Sequence, residues 1–227
     1  MAYRPTEKTR AARARRRAAL LDEAGALVAT GGFAAATVKA IAERSQLSVG
    51  TVYSYFDSNA DLLAAVFRAG ADRELAATRA AVESAEGPAA QLRALVETFA
   101  LRAIRGRQMA WSLLFEPVDP RIEAERLTYR AAYHRLTTEI LRDGIASGVF
   151  PDQHLGVTAA ALIGAISESL TGRLSAGHAV TDDADDHRIV ESILRFCFHG
   201  IDYTGDAPPI RPSASAGTVR RIEGKDS

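Results

Sequence analysis

Thr37-Val-Lys-Ala-Ile-Ala-Glu-Arg-Ser-Gln-Leu-Ser-Val-Gly-Thr-Val-Tyr-Ser-Tyr-Phe56 is the stretch on which the reading of this chain turns. Thr37 suits a helix N-terminus, because its hydroxyl can accept from a backbone N–H that has no partner within the helix. Val38, Ile41 and Ala42 then recur at helical spacing and predict a short helix over Val38–Ser45 with one apolar face. Gln46-Leu47 allows only a tight turn. Ser48 caps a second short helix over Val49–Tyr55, with Val52 and Phe56 pointing inward. Two short helices joined this way make a helix-turn-helix, and the second helix is of a size that the major groove of DNA admits. Its outer side carries Ser48, Gly50, Thr51 and Ser54. These side chains are small and mostly hydroxyl-bearing, so the backbone can approach base edges. Tyr53 and Tyr55 offer hydroxyls to phosphates, which fix register while base contacts discriminate.

Reading outward, the apolar positions Leu20, Ala24, Leu27 and Val28 predict a first helix over about Thr9–Thr30. Gly31-Gly32 ends it, leaving Phe33 to plug a small core. Ser58 and Asp61 resemble a capping box and open a long fourth helix to about Ser84. Gly87-Pro88 breaks it. Further helices follow over about Ala89–Arg105, Arg107–Phe115, Pro120–Ser147, His154–Leu174 and Asp183–Ile201. Asp182, Asp183, Asp185 and Asp186 stand where the last helix presents its positive end. The expected fold is all-α, with about nine helices. Residues 1–59 form a basic arm and helix-turn-helix domain, 60–204 a larger helical domain, and 205–227, rich in proline and serine, a disordered tail.

Composition supports this architecture. The 227 residues are 47% hydrophobic and 25% charged, enough apolar matter for a real core. No uninterrupted apolar run reaches the roughly 20 residues of a membrane span, and no signal-type segment follows the basic N-terminus. The expected location is the cytoplasm, with no membrane partner. The single cysteine, Cys197, excludes an internal disulfide and lies in an apolar stretch, as a buried thiol would. Net charge is zero, yet residues 1–59 hold nine basic against five acidic side chains. Arg10, Arg13, Arg15, Arg16 and Arg17 concentrate that surplus, which implies a polyanion partner at this end.

The stretch quoted above, with the Gly32-Phe33 lead-in and the following Asp57-Ser-Asn-Ala-Asp-Leu-Leu63, resembles the DNA-binding domain of TetR/AcrR regulators. Gly50-Thr51-Val52-Tyr53-Ser54-Tyr55-Phe56 is the most specific part. The resemblance implies that Thr37 and Lys39 meet phosphates or a base. It implies that Ser48, Val49, Gly50 and Thr51 face bases, and that Tyr53 and Tyr55 meet phosphates. The arginine segment would lie along the flanking backbone. It also implies a homodimer that binds double-stranded operator DNA, with an effector-binding and dimerising second domain, and a repressor as the default regulator.

Two residues depart from the family pattern. Gln46 stands where glycine is usual in the turn, and Asn59 where lysine often precedes the fourth helix. They keep open an alternative: a helical ligand-binding or scaffold protein whose helix-turn-helix no longer binds DNA. For the dimer, Ala159, Ala160, Ala161, Gly164 and Ala165 offer a small-residue face, and Ile189, Ile193 and Phe196 an apolar stripe. For a small hydrophobic effector, the candidates are Arg102, Met109, Trp111, Phe115, Tyr129, Tyr133, His134 and Glu168, apolar or mixed in character on the middle helices. An enzyme is not expected. There is no Gly-x-Ser-x-Gly elbow, no phosphate-binding glycine loop and no Glu-x-x-His pair. The histidines at 134, 154, 178, 187 and 199 lack metal-ligand spacing, so neither metal nor cofactor is expected.

Overall fold

The computed structural model describes residues 7–175 and 183–205. Nine helices and no strand occur among them: α1 (Glu7–Ala35), α2 (Val38–Arg44), α3 (Val49–Tyr53), α4 (Asn59–Glu83), α5 (Pro88–Arg105), α6 (Arg107–Leu114), α7 (Pro120–Ala146), α8 (Leu155–Leu174) and α9 (Asp183–Gly200). The boundaries have local causes. Thr37, Ser48, Ser58 and Asp119 each accept at their helix's N-terminus, from Ala40, Thr51, Asp61 and Arg121 N–H groups respectively. Such caps stabilise by about 1 kcal/mol each. Pro88 and Pro120 occupy first turns, where their missing N–H costs nothing.

The apolar faces gather into two clusters. The first joins Leu20, Ala24, Val28 and Phe33 of α1 to Ile41, Val52 and Phe56, and to Leu62, Val66 and Phe67 at the start of α4. The second joins Leu92, Leu95 and Val96 of α5 to Leu136, Ile140 and Leu141 of α7, Leu162, Ile166 and Leu170 of α8, and Val190, Leu194 and Cys197 of α9. α4 runs unbroken from one to the other, since Phe67 belongs to the first cluster and Val82 to the second. Leu113 of α6 and Ile122 of α7 also enter the first cluster, so the two are knitted together around α4 and α6.

Several expectations need correction. The first helix does not end at Thr30. Helical structure resumes to Ala35 after a break at Gly32, whose φ of 73° and ψ of −176° are essentially a glycine conformation. α3 stops at Tyr53, and Ser54 is its C-cap. Ala159 and Ile193 are buried in the protomer's own core, whereas Ala160, Ala161 and Phe196 face outward. Two helices, α1 and α8, are long and apolar enough on average to cross a membrane by length and composition alone, although neither is an uninterrupted apolar run. Ala159, Leu162, Ile166, Leu170 and Leu174 of α8 are buried within the bundle. Residues 206–227 of the expected tail, and Asp182, lie outside the described residues.

Candidate nucleic-acid interface and effector cavity

α3 is held in place from both ends. Ser48 Oγ accepts from Thr51 N–H at 3.1 Å and shares a 2.8 Å hydrogen bond with the Thr51 hydroxyl. Ser54 Oγ donates to the Thr51 carbonyl at 2.7 Å. The turn before α3 places Gln46 at φ 55°, left-handed backbone that a non-glycine residue adopts at a cost of about 1–2 kcal/mol. Val49 and Tyr53 are 43% and 48% exposed, unusually open for large apolar and aromatic side chains. Ser48, Gly50 and Ser54 are exposed, and Thr51 is half-buried. A Cβ placed on Gly50 would come no nearer than 3.8 Å to another group, so no described residue covers that backbone. Thr37 and Lys39 are exposed at the start of α2. Asn59, at the first turn of α4, is exposed too.

The basic segment is helical and lies against α3. Arg13 Nη2 donates to the Ser54 carbonyl at 2.5 Å, and its guanidinium lies 5.0 Å from the Tyr55 ring centroid. Arg17 lies 4.8 Å from the Phe56 ring centroid. Tyr55 is accordingly half-buried, clamped between α1 and the end of α3. Ala12, Arg13, Arg15, Arg16 and Tyr55 line a surface groove between these elements. Arg10, Arg15 and Arg16 remain exposed beside it. Sequence reasoning treated the arginines as one set. The fold divides them: Arg13, though exposed, and the half-buried Arg17 dock the helix, while Arg10, Arg15 and Arg16 face solvent. Arg44 of α2 further pins α1 through Glu23 at 2.9 Å.

A cavity of about 110 Å³ lies among α4, α5, α6 and α7. Space arises because small residues, Ala71, Ala103, Gly106 and Ala110, meet the large rings of Phe67, Phe99, Tyr129 and Tyr133. Arg102, Met109, Phe115, Tyr129 and Tyr133 of the expected set line it, and Trp111, His134 and Glu168 do not. Trp111 sits one helical step beyond Ala110 and packs on Phe115 at 5.5 Å, against the larger cluster. His134 Nε2–H donates to the Gly156 carbonyl at 3.0 Å, tying α7 to α8. Glu168 is exposed on the outer side of α8.

Among the polar lining residues, Glu74, Thr78, Arg126 and Arg130 lie outside the expected set. Glu74 and Arg102 form a two-pronged ion pair, with contacts of 2.5 and 3.0 Å. That hydrogen bond to Glu74 raises the Arg102 pKa further, so the guanidinium stays charged. Thr78, Arg126 and Arg130 also face the cavity. Burial pushes the Tyr133 phenol up to about 12, and its hydroxyl lies 3.4 Å from Thr78 Oγ1. Burial first, then a 2.5 Å hydrogen bond donated to Asp72, also raises the Tyr129 pKa. Both phenols are therefore neutral donors at physiological pH. The sequence signal was present: Phe67, Ala71, Glu74 and Thr78 share one face of α4, as Arg126, Tyr129, Arg130 and Tyr133 do on α7.

Residues 20–66 match the family model for bacterial regulatory proteins of the tetR family. Residues 85–171 match a tetracyclin repressor-like C-terminal domain. Over 139 residues, 60% of this chain, the sequence is 31% identical to the HTH-type transcriptional repressor KstR2 of Rhodococcus jostii, 68% of whose length is covered. The chain belongs to the tetR family. It is a DNA-binding transcriptional regulator. The fold agrees. The regulator FadR of Bacillus subtilis, solved with stearoyl-CoA, matches with a TM-score of 0.68 and 19% identity, covering 81% of this chain and 98% of FadR. AibR, solved with isovaleryl coenzyme A and operator DNA, matches with a TM-score of 0.62 and 18% identity, covering 79% and 96%.

Proposed function

We propose that this regulator is a repressor that binds a near-palindromic operator as a homodimer and leaves it when an acyl-CoA thioester occupies the cavity. The observation that carries the reading is the pairing of an uncovered, hydroxyl-rich α3 with an apolar cavity that has arginines in its lining. On this reading Thr37, Lys39, Ser48, Val49, Gly50, Thr51, Tyr53, Ser54 and Tyr55 form the DNA face. Arg10, Arg15 and Arg16 meet flanking phosphates, and Arg13 holds α1 to the end of α3. Residues 1–59 serve as the DNA-binding domain and 60–204 as the effector-binding and dimerising domain, with α4 shared between them.

Two structures of similar fold support the effector class, one solved with stearoyl-CoA and the other with isovaleryl coenzyme A. The acyl group would enter among Phe67, Ala71, Met109 and Leu113, and Arg102 and Arg130 would meet anionic or carbonyl oxygens. At about 110 Å³ the cavity is smaller than the roughly 300–1,000 Å³ of ordinary ligand sites. A short acyl chain therefore fits with the smaller rearrangement, while a long one requires the helices to part. That parting is the proposed release: a displaced α4 changes the spacing of two recognition helices, which must sit about 34–36 Å apart. For the dimer, the outward faces of α8 and α9 supply Val157 and Phe196, each 63% exposed, beside the small Ala161 and Gly164.

This reading places the protein in the cytoplasm with no catalytic role. The decisive experiment selects bound genomic fragments, then titrates them with isovaleryl-CoA and stearoyl-CoA. A palindromic site released by the short thioester supports the proposal. Specific DNA binding that neither thioester alters refutes the effector class and leaves the regulator intact. Phe196→Glu should convert a dimer in light scattering to a monomer; an unchanged mass would remove the α8–α9 interface.

A further inference from the structure

Phe33 is bound twice, once by its ring and once by its backbone. Its ring stacks on Phe67, with centroids 6.2 Å apart, and Phe67 lines the cavity. Its N–H donates to the Glu116 carboxylate, 3.0 and 3.1 Å from the two oxygens, across 83 residues of sequence. Glu116 lies just beyond α6, and the approach requires glycine next door. A Cβ on Gly32 would stand 2.8 Å from both carboxylate oxygens.

Glu116 is in turn held by a residue of the cavity wall. Arg126 Nη2 donates to the Glu116 carbonyl at 2.8 Å and to the Ser112 carbonyl at 3.3 Å. Its Nε donates to the Leu113 carbonyl at 2.9 Å, and it pairs with Glu123. Leu113 and Arg126 both line the cavity. One buried guanidinium thus gathers the C-terminal carbonyls of α6 and the residue that grips α1.

We propose that Glu116 is a coupling residue: cavity occupancy shifts the end of α6 and Arg126, withdraws the Glu116 carboxylate from the Phe33 N–H, and so frees α1 to reorient the helix-turn-helix. The proposal rests on reading the cavity as the effector site. A charge-assisted hydrogen bond to a backbone N–H is a suitable element for such a device, since it is directional and broken by small displacements.

The test needs no effector. Ala110→Leu, or Ala103→Leu from the opposite wall should the first fail to fold, places an isobutyl group in the cavity. Amide exchange at Phe33 is measured by NMR, with Leu92 and Val96 as references, and operator affinity is measured on fragments selected by the wild-type protein. The expected result is Phe33 exchange at least tenfold faster in the filled variant with the reference amides unchanged, and weakened operator binding. In a Glu116→Ala background, filling should change operator affinity no further. Glu116→Gln keeps an acceptor of the same length and should retain the coupling. The proposal is overturned if Phe33 exchange ignores filling, or if filling weakens operator binding by the same factor with and without Glu116. Failure of acyl-CoA to bind would discard the effector reading alone, because the filled-cavity cycle is scored without it.

Discussion

Gly25 and Gly32 lie seven residues apart in α1, and alanine at each should have opposite effects. At Gly25 a Cβ meets nothing within 4 Å, and the backbone is helical. Alanine there gains up to about 1 kcal/mol of helix propensity, which for a chain of this size raises Tm by about 2–4 °C. At Gly32 the conformation, φ 73° and ψ −176°, costs an L-residue about 1–3 kcal/mol. The new Cβ also stands 2.8 Å from both Glu116 carboxylate oxygens, so the carboxylate must leave. Breaking a hydrogen bond to a charged partner adds about 1.5–3 kcal/mol. Together Gly32→Ala should destabilise by about 3–5 kcal/mol, a fall in Tm on the order of 10 °C. Differential scanning calorimetry of both variants measures this directly. Adding Glu116→Ala to Gly32→Ala should cost little more, since the carboxylate has already left Phe33. A Gly32→Ala destabilisation below about 1 kcal/mol, or full additivity with Glu116→Ala, would refute the claimed close approach.

Other outcomes follow from the site and core. Thr51→Ala should weaken specific operator binding by about tenfold or more, in keeping with about 1–3 kcal/mol for a good base contact, and Tyr53→Ala should weaken it through loss of a phosphate contact, with both variants still folded; gel-shift titration reads this, and wild-type affinity in both would reject α3 as the reading element. Neutralising Arg10, Arg15 and Arg16 to glutamine should shallow the log–log salt dependence by up to about 0.9 for each phosphate left without its cation, whereas Arg13→Gln should also lower Tm by removing the hydrogen bond to Ser54. Burial pushes the Cys197 thiol up to about 12. Iodoacetamide at pH 8 should therefore label the folded protein about a thousandfold more slowly than the urea-unfolded chain, whose thiol titrates near about 8.5. The hydrogen bond from Arg173 lowers the Asp185 pKa and ties the end of α8 to the start of α9. A depressed carboxylate contributes stability that is present above its unfolded pKa and lost as pH falls through the folded value. The Tm gap between wild type and Asp185→Asn should accordingly hold at pH 7 and close below about pH 4, the ordinary carboxylate range.

The chain's own residues, taken in order, determined the nine helices of the described residues and the helix-turn-helix. Helix starts depend on near neighbours: Thr37, Ser48, Ser58 and Asp119 reach only two or three residues ahead. Apolar spacing within one helix likewise shows which side is inward, as at Ile41, Val52 and Phe56. The same locality explains the errors of one or two residues at helix ends. A cap can be recognised one residue off, and the break at Gly32 gives way to renewed helix because Phe33 is drawn into the core.

The packing of helix on helix decided the rest. Trp111 and Ala110 differ by one position and about 100° of helix rotation, and only the packing of α6 among α4, α5 and α8 makes Ala110 the one that faces a void. Arginines alike in sequence separate into docking and exposed roles once α1 lies on α3. The Glu74–Arg102 pair and the Phe33–Glu116 hydrogen bond join residues 28 and 83 positions apart. Helical periodicity carries information over a few turns, while the crossing of two helices depends on every side chain between them. The DNA-reading element is local and could be read from one stretch of chain. The cavity exists only where several helices fail to fill the space between them, which no single segment encodes.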